Sequence, residues 1–407
     1  MKVRKRAPSL LGLIALLVCV SQAFAQTPAG PIPASLFGMH IINLSDFPSV
    51  EFAVLGKGTG VEWPAIEPTK GQFNWERLDQ YVKEGQAHGG RAIFYSAGGV
   101  PPWAAADQST CGSSAWGPTC AGTVAAMQDW ADFVTALVTR YKGQIYAYEL
   151  WNEPQEYFTG TYTQLAALTQ QEHDIIRSID PDATILSPSI VAYGYAYLDS
   201  YFAAGGTTDI DGVAMHSYPN PDNDIAETVT GSMTTTIRTV MSKYGISRKP
   251  LWDTEGSWGD TSYGAITNPN LRAAFVARAY LLHWSMGISR FYWYAWDSPD
   301  WGTLWTSTGG PSEAATAYGQ VYNWMVGATM AKACSFNGTD AYHAVYSCDL
   351  TRSGGYQASA VWNMDGNSTY TAPSQFTQYR DLAGNTYPIP SNYEIPIGLK
   401  PILLENF

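Results

Sequence analysis

Between Leu36 and Gly327, short β-compatible runs alternate with longer helix-compatible stretches, which restricts the chain to folds built on a parallel sheet with crossover helices. The strand-like runs are Leu36 to His40, Phe52 to Lys57, Arg91 to Tyr95, Ile145 to Trp151, Thr184 to Ser187, Gly212 to Met215, Pro250 to Thr254 and Arg290 to Trp293. Helical stretches separate them: Trp75 to His88, Val124 to Tyr141, Tyr162 to Ile179, Glu227 to Tyr244, Asn268 to Met286 and Glu313 to Met325. Eight such units suit a closed α/β ring, the (β/α)8 TIM barrel, whose chemistry collects at the carboxyl ends of the strands. An open doubly wound sheet is the alternative, but no glycine-rich phosphate loop opens the first unit.

Polar and aromatic residues do follow the predicted strands: His40, Lys57, Trp103, Asn152, Glu153, His216, Tyr218, Glu255 and Trp296. Past Ala328 the texture changes to short β-like segments divided by Gly, Asn, Asp and Pro turns. This predicts a small β-sandwich over residues 328–407, packed on a barrel over residues 26–327.

Met1 to Ala25 reads as a removable leader. Lys2, Arg4, Lys5 and Arg6 precede an apolar run from Leu10 to Val20, and Ala23-Phe24-Ala25 is a small-x-small cleavage site. The apolar run is short for a membrane span, so a secreted or periplasmic chain without membrane association is expected. Losing the leader removes four of 23 Lys and Arg and none of 35 Asp and Glu, leaving 19 against 35, a net charge of −16. That balance argues against nucleic acid, phosphate-rich ligands and anionic membranes as partners.

Cys19 leaves with the leader, and the four remaining cysteines suit two short-loop disulfides, Cys111 to Cys120 and Cys334 to Cys348. Metal binding is the rival reading of these cysteines. No Cys-x-x-Cys pair or clustered His supports it, and no metal or organic cofactor is expected.

The run Tyr148-Glu149-Leu150-Trp151-Asn152-Glu153-Pro154 ends in an amide, a carboxylate and a proline, as a strand does when it delivers polar groups to a barrel mouth. About a hundred residues on, Trp252-Asp253-Thr254-Glu255-Gly256 closes another strand with a second carboxylate. Two carboxylates on separate strands are what glycosidic bond cleavage needs. Strict alternation would turn Asn152 and Glu153 to opposite faces, so both reach one site only if the strand bends at its end. His216 and Tyr218, two apart, share a face. Asp253 shares a face with Glu255 on an alternating strand and is read as structural.

Trp63-Pro64-Ala65-Ile66-Glu67-Pro68, Gly71-Gln72-Phe73-Asn74-Trp75, Asp79, Pro102-Trp103-Ala104, Trp151-Asn152-Glu153-Pro154, His216-Ser217-Tyr218 and Thr254-Glu255-Gly256 follow the order and spacing of a known group. In that joint order the chain resembles clan A retaining glycoside hydrolases, most of all family 39, with family 5 as a looser relative. The resemblance implies Glu153 as general acid/base, Glu255 as nucleophile and Asn152 as the group holding the sugar hydroxyl beside the reacting carbon. It places Tyr218 to orient Glu255, His216 to bind substrate or support Glu153, and Trp296 as a stacking platform near an unusual peptide geometry. Trp103, Trp258, Trp293 and Trp301 are weaker pocket candidates, each read first as packing; His40 is a pocket-lining candidate, and Glu67 is read as structural. One position departs from the family pattern: an arginine expected on the second strand is missing, and Lys57 is the nearest cation.

With the leader and the acidic balance, the resemblance gives the expectation of a secreted or periplasmic, monomeric β-glycoside hydrolase acting on neutral carbohydrate, and the resemblance itself implies double displacement. A transglycosylase using the same residues, and a carbohydrate-binding barrel without activity, are the alternatives.

Overall fold

The computed structural model describes residues 27–407 except 57–58, 90–91, 115–116, 192–193, 207–208, 219–225 and 260–265, and leaves out the side chains of 228–230. The leader reading and the Lys57 reading lie outside the described residues.

Eight parallel strands form the central sheet: β1 Phe37–His40, β2 Val54–Gly56, β3 Ala92–Ser96, β4 Ile145–Glu149, β5 Thr184–Leu186, β6 Val213–Ser217, β7 Leu251–Gly256 and β8 Ile288–Trp293. Their order is β5-β4-β3-β2-β1-β8-β7-β6. The ring closes between β5 and β6 through the parallel bridge Leu186↔Gly212, with Ser187 N–H donating to the Gly212 carbonyl at 3.0 Å. The fold is therefore the (β/α)8 barrel that the alternation predicts.

The main helices are α1 Glu76–Ala87, α2 Met127–Tyr141, α3 Tyr162–Ile179, α4 Tyr195–Ala203, α5 Ala226–Lys243, α6 Pro269–Ser285 and α7 Glu313–Met325. Between β1 and β2 the chain makes only a 3-10 turn, Leu44–Asp46. Helix α3 begins with a capping box in which Thr161 and Gln164 satisfy each other's backbone amides. Helix α4 has no strong apolar stripe and is dense in tyrosine, so its period is hard to read from sequence.

Alternation along each strand sorts side chains into layers. Val54, Phe94, Ala147, Leu186, Ala214, Trp252 and Tyr292 form an apolar plug inside the ring. Tyr292 fits only because β1 carries Gly38 opposite it: a Cβ there would lie 1.9 Å from the Tyr292 ring. Two residues further along the strands, the inner positions are His40, Ser96, Glu149, His216 and Thr254, all buried. This polar floor is what the site rests on.

The C-terminal region is antiparallel: β9 Thr329–Asp340, β10 His343–Arg352, β11 Tyr356–Asn363, β12 Ser368–Thr371, β13 Gln378–Arg380, β14 Thr386–Pro388, β15 Glu394–Ile397 and β16 Ile402–Glu405. Six strands form a sheet ordered β9-β10-β11-β16-β13-β14, and β12 pairs with β15. The ribbon faces the sheet over a core of Val361, Ala372, Phe376, Ile395, Ile397, Ile402 and Leu404, giving the expected small sandwich. It is tied to the barrel helices by a buried group. Trp362 donates to Glu227 at 2.9 Å, and Arg278 of α6 lies 3.5 Å from the same carboxylate.

Strand β9 is absent from the sequence reading because it is an exposed edge, and nearly every side chain after Met330 faces solvent. Both disulfides pair as expected, Cys111 with Cys120 and Cys334 with Cys348.

Candidate active site

β4 ends at Glu149, two residues earlier than the apolar run suggests. The chain then turns. Asn152 N–H donates to the Ala97 carbonyl at 2.8 Å, and Glu153 takes left-handed backbone, φ 43° and ψ 55°, before Pro154 opens a single helical turn. A non-glycine residue in that region is uncommon and is held here by its surroundings. This bend brings Asn152 and Glu153 to the same cleft, as the sequence reading requires.

β7 supplies the second carboxylate through an irregularity. Met215 pairs with Asp253 but His216 pairs with Glu255, so Thr254 is the extra residue of a bulge. Asp253 faces away from the ring, where His283 of α6 lies 2.7 Å from its Oδ2 and Ser217 donates to both its oxygens. The expectation that Asp253 shares a face with Glu255 is corrected by this bulge, while its structural reading agrees with the contacts. Thr254 points into the ring, and Glu255 reaches the mouth.

Across the gap, one oxygen of Glu153, one of Glu255 and a ring nitrogen of His216 all lie within 4.8 Å of one another. Tyr218 donates to Glu255 Oε1 at 2.6 Å, and His216 Nδ1 stands 2.6 Å from Glu153 Oε1. The three converging groups form a possible ligand set for a cation, yet their closest atoms are already engaged with Tyr218 and with each other. Burial pushes the Glu153 carboxyl up, His216 pulls it back, and Glu255 and Glu149 add to the rise. Burial alone would neutralise His216; the carboxylates of Glu255, Glu153 and Glu149 outweigh it and raise the imidazole well above its usual range.

The cleft holds about 530 Å3 and is lined by Glu62, Pro64, Gly98, Gly99, Asn152, Glu153, Tyr157, Glu255 and Tyr294, among others. One wall is the hairpin Cys111–Ser114 with Gly117–Cys120, closed by its disulfide. No lysine or arginine lines it among the described residues.

Several expected residues sit elsewhere. Trp296 is buried outside the cleft lining, its amide donating to the His40 carbonyl. The β8 aromatic that faces the cleft is Tyr294, which precedes a cis peptide bond to Ala295. Two residues beyond inward-facing Tyr292, it has the inward parity that alternation assigns, and this is the signal that would have found it. His40 is buried beneath Tyr294, ring centroids 5.2 Å apart, and donates from Nε2 to the Thr254 carbonyl at 2.8 Å. Trp103 packs edge-on against Trp63 and donates to the Glu67 carbonyl, away from the lining residues. Glu67 accepts from Trp63 Nε1 and Gly71 N–H at 2.7 Å each, the structural role assigned to it. Glu62, Tyr157 and the hairpin are lining residues the sequence reading missed.

Residues 72–298 match the family model described as cellulase, glycosyl hydrolase family 5. A family 39 glycoside hydrolase from the gut symbiont Bacteroides cellulosilyticus superposes with a TM-score of 0.67 at 20% identity, covering 91% of this chain and 80% of that one. A family 39 β-xylosidase from Caulobacter crescentus gives 0.62 at 15% identity, covering 94% and 98%. A family 30 endoxylanase from Clostridium papyrosolvens gives 0.57 at 13%, covering 94% and 98%.

Proposed function

The chain belongs to the glycosyl hydrolase family 5 (cellulase) family and is a glycoside hydrolase, and from that premise we propose that it is a secreted, retaining β-glycosidase acting on neutral oligo- or polysaccharides. Glu153 is the acid/base and Glu255 the nucleophile. The observation that carries this reading is the approach of one Glu153 oxygen to within 4.8 Å of a Glu255 oxygen. Retaining enzymes hold their carboxyls about 5–5.5 Å apart, whereas inversion needs roughly 6.5–9.5 Å to seat a water.

In the first step Glu255 attacks the anomeric carbon while Glu153 gives its proton to the departing oxygen, leaving a glycosyl ester on Glu255. Glu153, now a carboxylate, takes a proton from water, and the resulting hydroxyl displaces Glu255 from the sugar. Asn152 lies beside Glu153 in the cleft, where it can hold the neighbouring hydroxyl. Tyr294 offers its ring as the sugar platform, the role first assigned to Trp296. A lining with no described cation and with Glu62 added to the two catalytic carboxylates supports a neutral rather than an acidic sugar. The two disulfides support an oxidising compartment.

A panel of aryl glycosides, followed by proton NMR of the first product, tests the reading. The expected first product keeps the anomeric configuration of the substrate, and Glu255→Gln abolishes nearly all turnover. An inverted first product, or substantial activity in Glu255→Gln, would remove the double displacement.

A further inference from the structure

Beneath the two cleft carboxylates lies a third that no step above uses. Glu149 is fully buried inside the ring. Ser96 of β3 donates to its Oε1 at 2.7 Å, and Thr254 of β7 donates to its Oε2 at 2.6 Å. A hydroxyl proton at each oxygen is the arrangement of a carboxylate acting only as acceptor. Its charge is answered by His216, whose Nε2 stands 3.9 Å from Glu149 Oε1 while Nδ1 meets Glu153 at 2.6 Å. The imidazole is thus clamped between two carboxylates, one in the cleft and one in the floor.

We propose that Glu149 is a positioning residue: it holds His216 charged and donating from Nδ1 behind Glu153, and so sets the pH at which the acid/base group exchanges its proton. This rests on Glu153 being the acid/base.

Geometry assigns the direction of the proton. Thr254 points inward two residues beyond Trp252 of the plug and binds Glu149 there, and the bulge at Thr254 turns Glu255 into the cleft. The same floor residue is therefore tied to both strands that carry a catalytic carboxylate. Other ionisable groups face the cluster: Glu255 and Tyr218 from the cleft, Tyr292 from β8, and Glu172 from α3. Glu172 is raised well above the usual carboxylate range, chiefly by burial and then by Glu149. His216 is left as the partner of the Glu149 charge. A negative charge fixed below the pair increases the proton affinity of both His216 and Glu153, so its removal lowers both.

The test is Glu149→Gln in the full chain, read two ways. The 15N shifts of the His216 ring are followed against pH, and kcat/KM is profiled on an aryl glycoside that the unaltered enzyme cleaves. The expected result is a His216 titration about one pH unit lower, with the basic limb of kcat/KM moving down by a similar amount and KM little changed. Glu149→Asp, which keeps the charge, is expected to restore the limb. If rate falls equally at every pH and His216 titrates as before, Glu149 only fills space and the proposal is overturned. A shifted His216 titration with an unmoved limb overturns its link to the reaction. Glu153→Gln assayed in parallel keeps a failure here separate from a failure of the acid/base assignment. Should Glu149→Gln fail to fold, Ser96→Ala removes a donor that shares the Glu149 charge, leaves more of that charge to His216 and is expected to move the His216 titration and the limb up; an unmoved limb there overturns the proposal equally.

Discussion

Tyr218 donates its phenolic proton to Glu255 Oε1 over 2.6 Å, from a strand end two residues beyond His216. Burial and the Glu255 charge both push that phenol up, so it stays a donor across the working range. Hydrogen bonds to charged groups contribute about 1.5–3 kcal/mol. Tyr218→Phe is expected to lower kcat roughly ten- to a hundredfold with the fold intact. An unchanged kcat would show that Glu255 does not depend on Tyr218 for its aim.

The raised Glu153 carboxyl fixes the sign of the pH profile. Burial is its first cause, and a carboxyl raised by burial keeps its proton above the ordinary glutamate range. The acid form is therefore present at pH values where a solvated glutamate, with a pKa of about 4.3, has already lost its proton. The basic limb of kcat/KM is expected to fall above that value and to vanish in Glu153→Gln when a substrate with an activated leaving group is used. A limb at the solvated value would contradict the buried setting.

Tyr294 lines the cleft, where the resemblance places Trp296. Tyr294→Ala is expected to weaken substrate binding about five- to tenfold, in line with about 1 kcal/mol for a lost aromatic contact. Trp296→Phe is expected to leave KM unchanged and to lower stability instead, since that ring is buried outside the cleft. Inhibition constants for a product sugar and a urea midpoint for each variant separate the two outcomes.

Gly38 is demanded by Tyr292. With a Cβ 1.9 Å from that ring, Gly38→Ala is expected to destabilise by about 1–3 kcal/mol or more through overpacking. Pairing it with Tyr292→Leu is expected to recover part of the loss. Equal urea midpoints for Gly38→Ala and the unaltered chain would count against the packing of the plug.

What was legible in the residues, and what was not, follows from the range of the interactions involved. The eight strands and most helices show in local periodicity because burial of one face imposes it. Spacing puts His216 and Tyr218 on one face, since residues two apart on a strand share it; their pairing with Glu153 and Glu255 is anticipated only through the resemblance. The β7 bulge could not, because it arises from register with β6 and β8 rather than from Thr254 itself. Placing Asp253 beside Glu255 stems from extending regular alternation across the bulge inside β7, and placing Trp296 in the cleft stems from carrying a family pattern past the end of β8. Strand β9 escaped because an exposed edge carries no apolar alternation. Glu149 looked like one more residue of a β run; its meaning lies in Ser96, Thr254 and His216, which come from three other strands.

The disulfide hairpin has a consequence for how this scaffold can diversify. Cys111 and Cys120 bring their Cα atoms to 3.8 Å, so the segment between them leaves the barrel and returns to one spot. Such a flap can be lengthened, trimmed or re-lettered without re-registering any of the eight staves below it. Breadth of sugar accepted and the machinery that cuts it can then change on separate evolutionary schedules.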